Sequence, residues 1–453
     1  MPVLSVILLF LLLVGSLLYA AAHTGVWHRG EQEKVHGFVR ERFRRELPPE
    51  VAAQLFALRG VEAVSGPFRS VAVLLQRLNP GNVVSGANGV EIITTGARKR
   101  ELLLEDLRRA RHSIHIQYFR FAGDKAGREV SEILLQKIAE GVQVRLIFPN
   151  MSNRDTRPSF YRELERGGVE VLRYMTLWQP LPRLALHVSS QCHRKILVID
   201  GKVAYTGGMN LNDNYFYRWR DTHLRITGTA VARLQASFLD TWLVCGRRLP
   251  EPLGAYFTCP VPVEPAPLQG VLVQSVPDAP EYRWPAMLLA YEKILREARD
   301  YVWLQTPYFV PPECFLRALK GAAERGVDVR LMLPEKVDTR FFSSINRTFY
   351  LECLCAGVKI LHHRGVFIHA KTLVADDAVA IIGATNLDER SFRINNEIST
   401  LLYGREAARA CQDIFLADAR EAIPVTLEAW ERSYPSLWTR IYTALVRFFR
   451  PLL

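Results

Sequence analysis

The sequence is poor in cysteine and has no cysteine pair with the spacing of a zinc site. Seven cysteines occur among 453 residues, an odd number, and no two of them form a Cys-x-x-Cys pair. Disulfide frameworks and zinc sites normally show even sets or short paired spacings. The composition therefore predicts reduced thiols in a cytosolic compartment.

Acidic residues are in deficit, with 46 Asp and Glu against 58 Lys and Arg and a formal net charge of +12. Excess positive charge suits an anionic partner, such as nucleic acid or anionic lipid headgroups. A solvated basic surface explains the same excess, so charge alone does not choose between them. The hydrophobic content of 49% excludes a wholly disordered chain and allows more than one large core.

Charged residues are missing from one stretch, Val3 to Ala22, which is long enough to cross a bilayer as a helix. No Lys or Arg precedes it, which disfavours the alternative of a signal peptide cleaved near Ala20 to Ala22. Six Lys and Arg between Arg29 and Arg45 predict, by the positive-inside rule, that the rest of the chain faces the cytoplasm. We therefore expect an inner-membrane anchor over residues 1–24 and a juxtamembrane segment over residues 25–89.

The last apolar segment, Ser436 to Phe449, places its large hydrophobic residues on one helical face with arginines at the margins. This pattern suits a helix lying in the membrane interface. An ordinary packing helix gives the same pattern. We expect the chain to end in this amphipathic helix.

Beyond residue 90, helix-like and strand-like segments alternate, and the alternation occurs twice. Val142 to Leu146 follows a helix that stops at Gly141, and Val327 to Leu331 follows a helix that stops at Gly326. A proline-rich stretch between the copies is typical of a linker. The sequence therefore predicts an α/β fold with two similar domains in tandem. The predicted units are a first domain over 90–249, the linker over 250–268 and a second domain over 269–453.

A six-position motif occurs twice, at a constant offset of 176 residues. Its order is His-x-Lys-x4-Asp-x6-Gly-small-x-Asn, with an acidic residue 28 positions after the His. A lone His-x-Lys pair means little, but six aligned positions repeated without an insertion are hard to obtain by chance. The first copy includes His193, Lys195, Asp200, Asn210 and Asp221, and the second includes His369, Lys371, Asp376, Asn386 and Glu397.

These residue types suit chemistry on a phosphodiester. A His and a Lys two residues apart on a strand face the same side. Two Lys and two Asn from two domains can hold the nonbridging oxygens of one phosphate. One His can attack phosphorus while the other protonates the leaving alkoxide, and the roles then exchange. Asp221 and Glu397 can each accept a hydrogen bond from the far ring nitrogen of a site His and fix its tautomer.

Each of these residues also has a structural interpretation. A single His beside a strand usually supports the fold. Asp200 and Asp376 immediately precede Gly201 and Asp377, so they are expected to shape turns. A zinc site is disfavoured because the Lys two positions after each His would repel a cation, and neither a metal nor a cofactor is predicted.

With this duplicated motif, the sequence resembles the phospholipase D superfamily from about Val90 to the C-terminus. The resemblance implies two phospholipase D-like domains, each a mixed sheet flanked by helices, with one site between the halves. It implies a two-step reaction through phosphohistidine that needs no metal. In this reading His193, Lys195, His369 and Lys371 are catalytic, and the motif aspartates complete the catalytic motif in a structural role.

Further stretches are similar to the bacterial cardiolipin synthases. These stretches are His193 to Asn212, Trp219 to His223, Gln305 to Phe309, Asn386 to Phe392 and Asn395 to Glu397. The resemblance implies phosphatidylglycerol as donor and acceptor, with glycerol released and cardiolipin formed. It favours His193 as the nucleophile and His369 as the acid and base. Gly208 and Ala384 depart from the superfamily, many of whose members carry Ser there.

Two other functions stay open on the sequence. A hydrolase with the same site would use water as the acceptor, as a phospholipase D or, less in keeping with a membrane anchor, as a nuclease. A lipid-binding scaffold with a decayed site is disfavoured, because both motif copies are intact. We expect an anionic phospholipid and the membrane as partners and no nucleic acid. The sequence does not determine the oligomeric state.

Overall fold

The computed structural model of the protein describes residues 41–56, 58–174, 191–259, 261–337 and 345–433. The predicted membrane anchor over residues 1–24 and the predicted amphipathic helix from Ser436 to Phe449 lie outside the described residues. Among the helices within the described ranges, none combines the length and apolar character needed to cross a bilayer.

The first domain is built on an eight-stranded mixed sheet. Its strands are β1 (Asn88–Ile93), β2 (Ser113–Gln117), β3 (Gln143–Pro149), β4 (Glu170–Tyr174), β5 (Ile196–Ile199), β6 (Val203–Gly207), β7 (His223–Gly228) and β8 (Leu268–Gln269). They lie in the order β4-β3-β2-β5-β6-β7-β1-β8. Strands β2, β3 and β4 are parallel, and the remaining pairs are antiparallel.

The second domain repeats this sheet. Its strands are β9 (Leu272–Asp278), β10 (Tyr301–Gln305), β11 (Phe309–Val310), β12 (Asp328–Pro334), β13 (Lys359–His363), β14 (Thr372–Ala375), β15 (Val379–Gly383), β16 (Leu387–Asp388), β17 (Glu397–Tyr403) and β18 (Ala422–Val425). Eight of them lie in the order β18-β13-β12-β10-β14-β15-β17-β9, and β11 pairs separately with β16. The strands that carry each motif hold equivalent places in the two sheets, so the sequence repeat is a structural repeat.

Helices cover both faces of each sheet, as an α/β layer structure requires. They are α1 (Pro49–Phe56), α2 (Arg69–Leu78), α3 (Gly96–Arg109), α4 (Lys125–Ala139), α5 (Pro158–Arg166), α6 (Val231–Val244), α7 (Ala286–Glu297), α8 (Glu313–Glu324), α9 (Tyr350–Cys355), α10 (Glu389–Arg393), α11 (Arg405–Ala419) and α12 (Leu427–Ser433). The prediction of two α/β domains with mixed sheets is confirmed.

The helices before β3 and β12 end where the sequence predicts. Gly141 follows α4 with φ +90°, and Gly326 follows α8 with φ +90°. Glycine adopts this left-handed conformation without the steric cost of a Cβ, and it therefore terminates helices efficiently. After each of these glycines the chain passes directly from the helix into a parallel strand of the sheet.

The two domains share one hydrophobic layer. A single buried cluster joins one face of each sheet with α6 from the first domain and α11 from the second. It includes Val198 and Ile226 of the first sheet and Ile382 and Leu402 of the second. Because close-packed side chains resist sliding, this layer fixes the motif-bearing strands of one domain relative to those of the other.

The segments before and between the predicted domains are packed parts of the fold. In the described part of the juxtamembrane segment, Val71 and Leu75 of α2 are fully buried in the cluster that contains Tyr291 of α7. In the proline-rich segment, Leu253 and Tyr256 are buried, and β8 pairs with β1. Both segments therefore contribute to the cores.

Candidate active site

The two His-x-Lys segments lie at equivalent places, directly before strands at the centre of each sheet. Strand β5 begins at Ile196 and β14 at Thr372, one residue after the motif lysines. The sequence prediction placed the His and the Lys on the strand itself. The strands instead begin after the Lys, because the residues around each His pair with the other domain.

Main-chain hydrogen bonds attach each His to the opposite domain. The two isolated bridges here are Cys192–Asn396 and Arg220–Ile368. The His193 amide donates to the Asn396 carbonyl at 2.8 Å, and the His369 amide donates to the Arg220 carbonyl at 2.7 Å. Asn396 and Arg220 each precede the motif acid of their own domain by one residue. Each His is therefore held beside the acid of the other domain.

His193 pairs with Glu397 of the second domain. Its Nδ1 donates to the carboxylate and lies 2.9 Å from both oxygens. Burial lowers the pKa of His193, and Lys195 and Lys371 act in the same direction against Glu397. The imidazole is therefore neutral at pH 7, with its proton on Nδ1. Its Nε2 makes no hydrogen bond within the part of the chain that the structure describes, so its lone pair is available.

His369 pairs with Asp221 of the first domain. Its Nδ1 lies 2.7 Å from Asp221 Oδ2 and 3.3 Å from the Tyr215 hydroxyl. Burial lowers the pKa of His369 to about 3, and Lys371 adds to the shift. Burial acts to raise the pKa of Asp221, but Lys371 and the hydrogen bond from His369 hold it below its ordinary value. Lys371 Nζ lies 2.5 Å from the Nδ1 and 3.0 Å from the Nε2 of His369, so this ammonium faces both ring nitrogens.

The two motif lysines are buried at the same centre. Lys195 Nζ donates to the His193 carbonyl at 2.8 Å, and Lys371 Nζ contacts the His369 carbonyl. Burial lowers the pKa of Lys195 to about 7, with Lys371 acting in the same direction and Glu397 against it. Lys371 Nζ also lies 4.0 Å from Asp221 Oδ2 of the first domain, so the two half-sites adjoin each other.

The two motif asparagines are also buried. The Asn210 Oδ1 accepts from the Arg120 amide at 3.1 Å, which leaves the amide nitrogen as a donor. The Asn386 Oδ1 is buried and has no hydrogen-bond partner among the described residues. A buried amide without partners is costly. Rotation of the side-chain amide exchanges its oxygen and nitrogen. The nitrogen can then donate a hydrogen bond to a phosphate oxygen at this position.

Asp200 and Asp376 lie at the far ends of β5 and β14, away from the histidines. Asp200 accepts hydrogen bonds from three consecutive backbone amides, residues 111–113, at 2.7–2.9 Å. Asp376 does the same for residues 299–301 at 2.8–3.0 Å. Both have positive φ, 54° and 47°, which Asp tolerates in turns. The structure does not bring these two carboxylates to the reacting centre, so within the catalytic motif their contacts are those of the structural role expected of them.

Sequence reasoning overlooked Arg194, the residue between the first motif His and Lys. Its guanidinium is buried and donates to the Glu397 and Asp278 carbonyls at 3.1 and 3.0 Å. Both acceptors belong to the second domain, so Arg194 ties the His193 segment to the opposite half. One signal existed in the sequence. A residue between two site-facing positions points away from the site, and a charge buried there needs partners.

Arg220 and Asp418 form a second tie across the boundary. The Arg220 guanidinium donates to both carboxylate oxygens, at 2.9 and 2.6 Å, and the side chains are only 10% and 11% exposed. The Gln305 amide donates to the same carboxylate at 2.8 Å. This pair joins residues nearly two hundred positions apart, which no local pattern reveals.

Gly208 stands where many members of the superfamily carry a serine, and the structure gives a steric reason for the glycine. A Cβ there would lie 2.1 Å from Asp221 Oδ1. A serine at this position would displace the carboxylate that orients His369. The close approach of the acid to the main chain therefore explains why glycine stands at this position.

The repeated sheets and the exchanged His–acid pairs define the class of protein. In two similar α/β domains, each motif His pairs with the motif acid of the other domain, and this is the phospholipase D-like arrangement. A family model described as "Cardiolipin synthase, PLD-like domain" matches residues 103–242 and 291–419, more than half of the chain. The chain belongs to this cardiolipin synthase family, and the predicted resemblance is confirmed.

Curated relatives cover most of the chain. The cardiolipin synthase of Listeria innocua is 33% identical over 396 residues, which cover 84% of this chain and 79% of that protein. The cardiolipin synthase of Geobacillus thermodenitrificans is 34% identical over 377 residues, with coverages of 82% and 73%. The major cardiolipin synthase of Bacillus subtilis is 33% identical over 387 residues, with coverages of 83% and 78%.

Two solved structures share the fold. The phosphatidylserine synthase of Haemophilus influenzae superposes with a TM-score of 0.62 at 13% identity and covers 85% of this chain and 100% of its own. The polyphosphate kinase of Porphyromonas gingivalis superposes with a TM-score of 0.51 at 14% identity, with coverages of 76% and 49%. At these identities the comparison establishes the two-domain fold alone.

Proposed function

We propose that the protein transfers a phosphatidyl group between two phosphatidylglycerol molecules, releasing glycerol and forming cardiolipin. Membership of the cardiolipin synthase family supports this proposal. The observation that carries it is the exchanged pairing, in which each His is oriented by the acid of the other domain. Two oriented imidazoles around one centre are the minimum needed for a double displacement at phosphorus.

In the first step, His193 Nε2 attacks phosphorus and the bond from phosphorus to the glycerol oxygen breaks. His369 gives a proton to that oxygen, so glycerol leaves as a neutral alcohol. The anionic phosphodiester beside His369 raises its pKa in the complex and allows it to carry this proton. One difference supports the assignment. The Nε2 of His193 makes no hydrogen bond among the described residues, whereas the Nε2 of His369 faces Lys371.

In the second step, a hydroxyl of the second phosphatidylglycerol attacks the phosphatidyl-histidine. The phosphorus–nitrogen bond breaks, His193 regains its lone pair, and His369 takes the hydroxyl proton. Lys195, Lys371 and the two motif asparagines hold the nonbridging oxygens throughout. Preorganised charges in a buried site stabilise the developing negative charge without reorganisation.

Phospholipid hydrolysis is the alternative outcome of the same chemistry, with water replacing the alcohol. An aromatic wall beside His369 favours the alcohol. The rings of Trp219 and Phe367 lie 5.5 and 5.8 Å from the imidazole, and the Tyr215 ring lies 5.3 Å away. Apolar groups at the position of the attacking hydroxyl lower the local availability of water.

We place the enzyme at the inner membrane with its catalytic domains on the cytoplasmic side. The uncharged run from Val3 to Ala22 and the basic residues after it support this placement. An anionic lipid also suits the formal net charge of +12. We propose phosphatidylglycerol as the lipid partner and no role for nucleic acid.

The direct test supplies the purified full-length protein with labelled phosphatidylglycerol in vesicles and measures lipids by mass spectrometry. We expect cardiolipin and glycerol in equal amounts. His193→Ala and His369→Ala should each abolish both products, whereas a scaffold would show no dependence on these residues. Phosphatidic acid without cardiolipin would replace the transferase with a hydrolase.

A further inference from the structure

An open pocket of about 460 Å³ adjoins the half-site of His193 in the first domain. Phe119 forms the wall that it shares with the reacting centre, because its ring lies 4.6 Å from the His193 ring and 5.2 Å from Lys195 Nζ. Gln191, two residues before His193, lines the same pocket. The pocket therefore begins one side chain away from the nucleophile.

Two arginines and an amide give this pocket the character of an anion site. Arg154 lines it, is exposed, and makes no hydrogen bond or ion pair within the described residues. Arg120 lines it too, and its Nε is buried without a partner among the described residues. The Gln191 Oε1 accepts from Ser152 at 2.7 Å, which leaves the nitrogen of that amide as a donor. Guanidinium groups are the preferred partners of phosphate because they offer paired donors.

Asp155 also lines the pocket and pairs with Arg120. The two side chains are 58% and 34% exposed, and an exposed pair of this kind contributes little stability. An arriving phosphate can therefore replace the carboxylate on the guanidinium at small cost. The carboxylate would weaken phosphate binding, and its removal should strengthen it.

One lining position of the pocket differs between the two domains. Arg120 stands three residues after the end of β2, and Tyr308 stands three residues after the end of β10. The position next to the reacting centre thus carries a cation in the first domain and a neutral phenol in the second.

We propose that this pocket binds the phosphodiester of the acceptor lipid, which rests on the phosphatidyl transfer proposed above. Once glycerol has left, a single phosphate is bound at the histidines. An acceptor phosphatidylglycerol brings a second phosphate, three carbons away from its attacking hydroxyl. Water, ethanol and glycerol lack that phosphate. Arg120 and Arg154 therefore select a phospholipid acceptor over small alcohols.

The test compares two acceptors with one donor. Wild-type protein, Arg154→Ala and the matched control Arg162→Ala receive vesicles of phosphatidylglycerol with and without ethanol. Arg162 is exposed on α5 and lies outside the pocket lining. We expect Arg154→Ala to lower cardiolipin formation about tenfold while phosphatidylethanol formation stays unchanged. Arg162→Ala should change neither product.

A second variant tests the pocket by gain of function, which a folding defect cannot mimic. Asp155→Asn should lower the KM for phosphatidylglycerol as acceptor and leave transfer to ethanol unchanged. An equal fall of both products in Arg154→Ala, or a raised KM in Asp155→Asn, would overturn the pocket assignment while leaving the transferase standing. A wild-type protein that forms phosphatidylethanol but no cardiolipin would overturn the proposed function itself, and the pocket assignment with it.

Discussion

Lys195 is the residue of the site whose charge is most finely balanced. It is fully buried, and burial lowers its pKa to about 7. Near this pH, a bound phosphodiester anion changes the protonated fraction of the amine most strongly. Below that pH the ammonium is present before substrate arrives. Above it, the free protein holds a neutral amine that must regain a proton as the anion binds. Substrate binding and proton uptake are therefore coupled at this side chain, as they are at His369.

This coupling gives a pH profile with a definite direction. The ratio kcat/KM reports the free protein, so its fall with pH should steepen above about pH 7, by a further factor approaching about ten per pH unit, as Lys195 loses its charge. The kcat should hold to higher pH, because the bound anion keeps the ammonium charged. In Lys195→Arg the guanidinium stays charged throughout. A fall of kcat/KM near pH 7 that persists in Lys195→Arg would assign the titration to another group.

Within one motif, the aspartate has a structural role and the histidine has a chemical role. Asp200 holds three backbone amides at the end of β5, so Asp200→Ala leaves them without this acceptor. We expect a loss of about 1–3 kcal/mol in the free energy of unfolding, measured by urea denaturation. The kcat of the folded fraction should be little changed. His193→Ala should show the opposite pattern, and an Asp200→Ala variant with normal stability but no activity would contradict this division.

At the scale of the element, local sequence signals predict the fold well and the site only in part. The glycines after α4 and α8 end those helices at the predicted places, because glycine accepts positive φ. The constant offset of 176 residues identifies the twelve motif positions. It leaves open which acid serves which His. That choice is made by two short main-chain bridges between domains, Cys192–Asn396 and Arg220–Ile368, whose partners lie far apart in sequence.

The second of these bridges is held by the pair Arg220 and Asp418. Asp418→Asn removes the charge that faces a guanidinium about nine-tenths buried, so we expect a loss of about 3 kcal/mol in the free energy of unfolding. The kcat should fall as well, because the Arg220 carbonyl accepts from the His369 amide. Urea denaturation and steady-state kinetics measure the two effects. Asp413→Asn, an exposed change on the same helix, is the control, and equal stability of the two variants would contradict the proposed tie.

At the scale of the whole molecule, the two domains behave as one unit. The sequence predicts two tandem domains and a linker, and it gives no indication that one hydrophobic layer joins both sheets. Amphipathic patterns show that a face is buried, but they do not identify the partner that buries it. Composition alone also does not show that Leu253 and Tyr256 of the predicted linker, residues 250–268, are buried in the core. The shared layer is what allows each domain to complete the site of the other.

The central claim is that His193 and His369 act on one phosphate in different roles. Rapid quenching of the full-length protein with phosphatidylglycerol, followed by peptide mass spectrometry, tests it most directly. We predict a phosphatidyl adduct on the peptide that contains His193, and none on the peptide that contains His369. His369→Ala should still accumulate the adduct when the donor carries a good leaving group, which needs no proton. An adduct on His369, or cardiolipin formed with inversion at phosphorus and no adduct at all, would contradict the account.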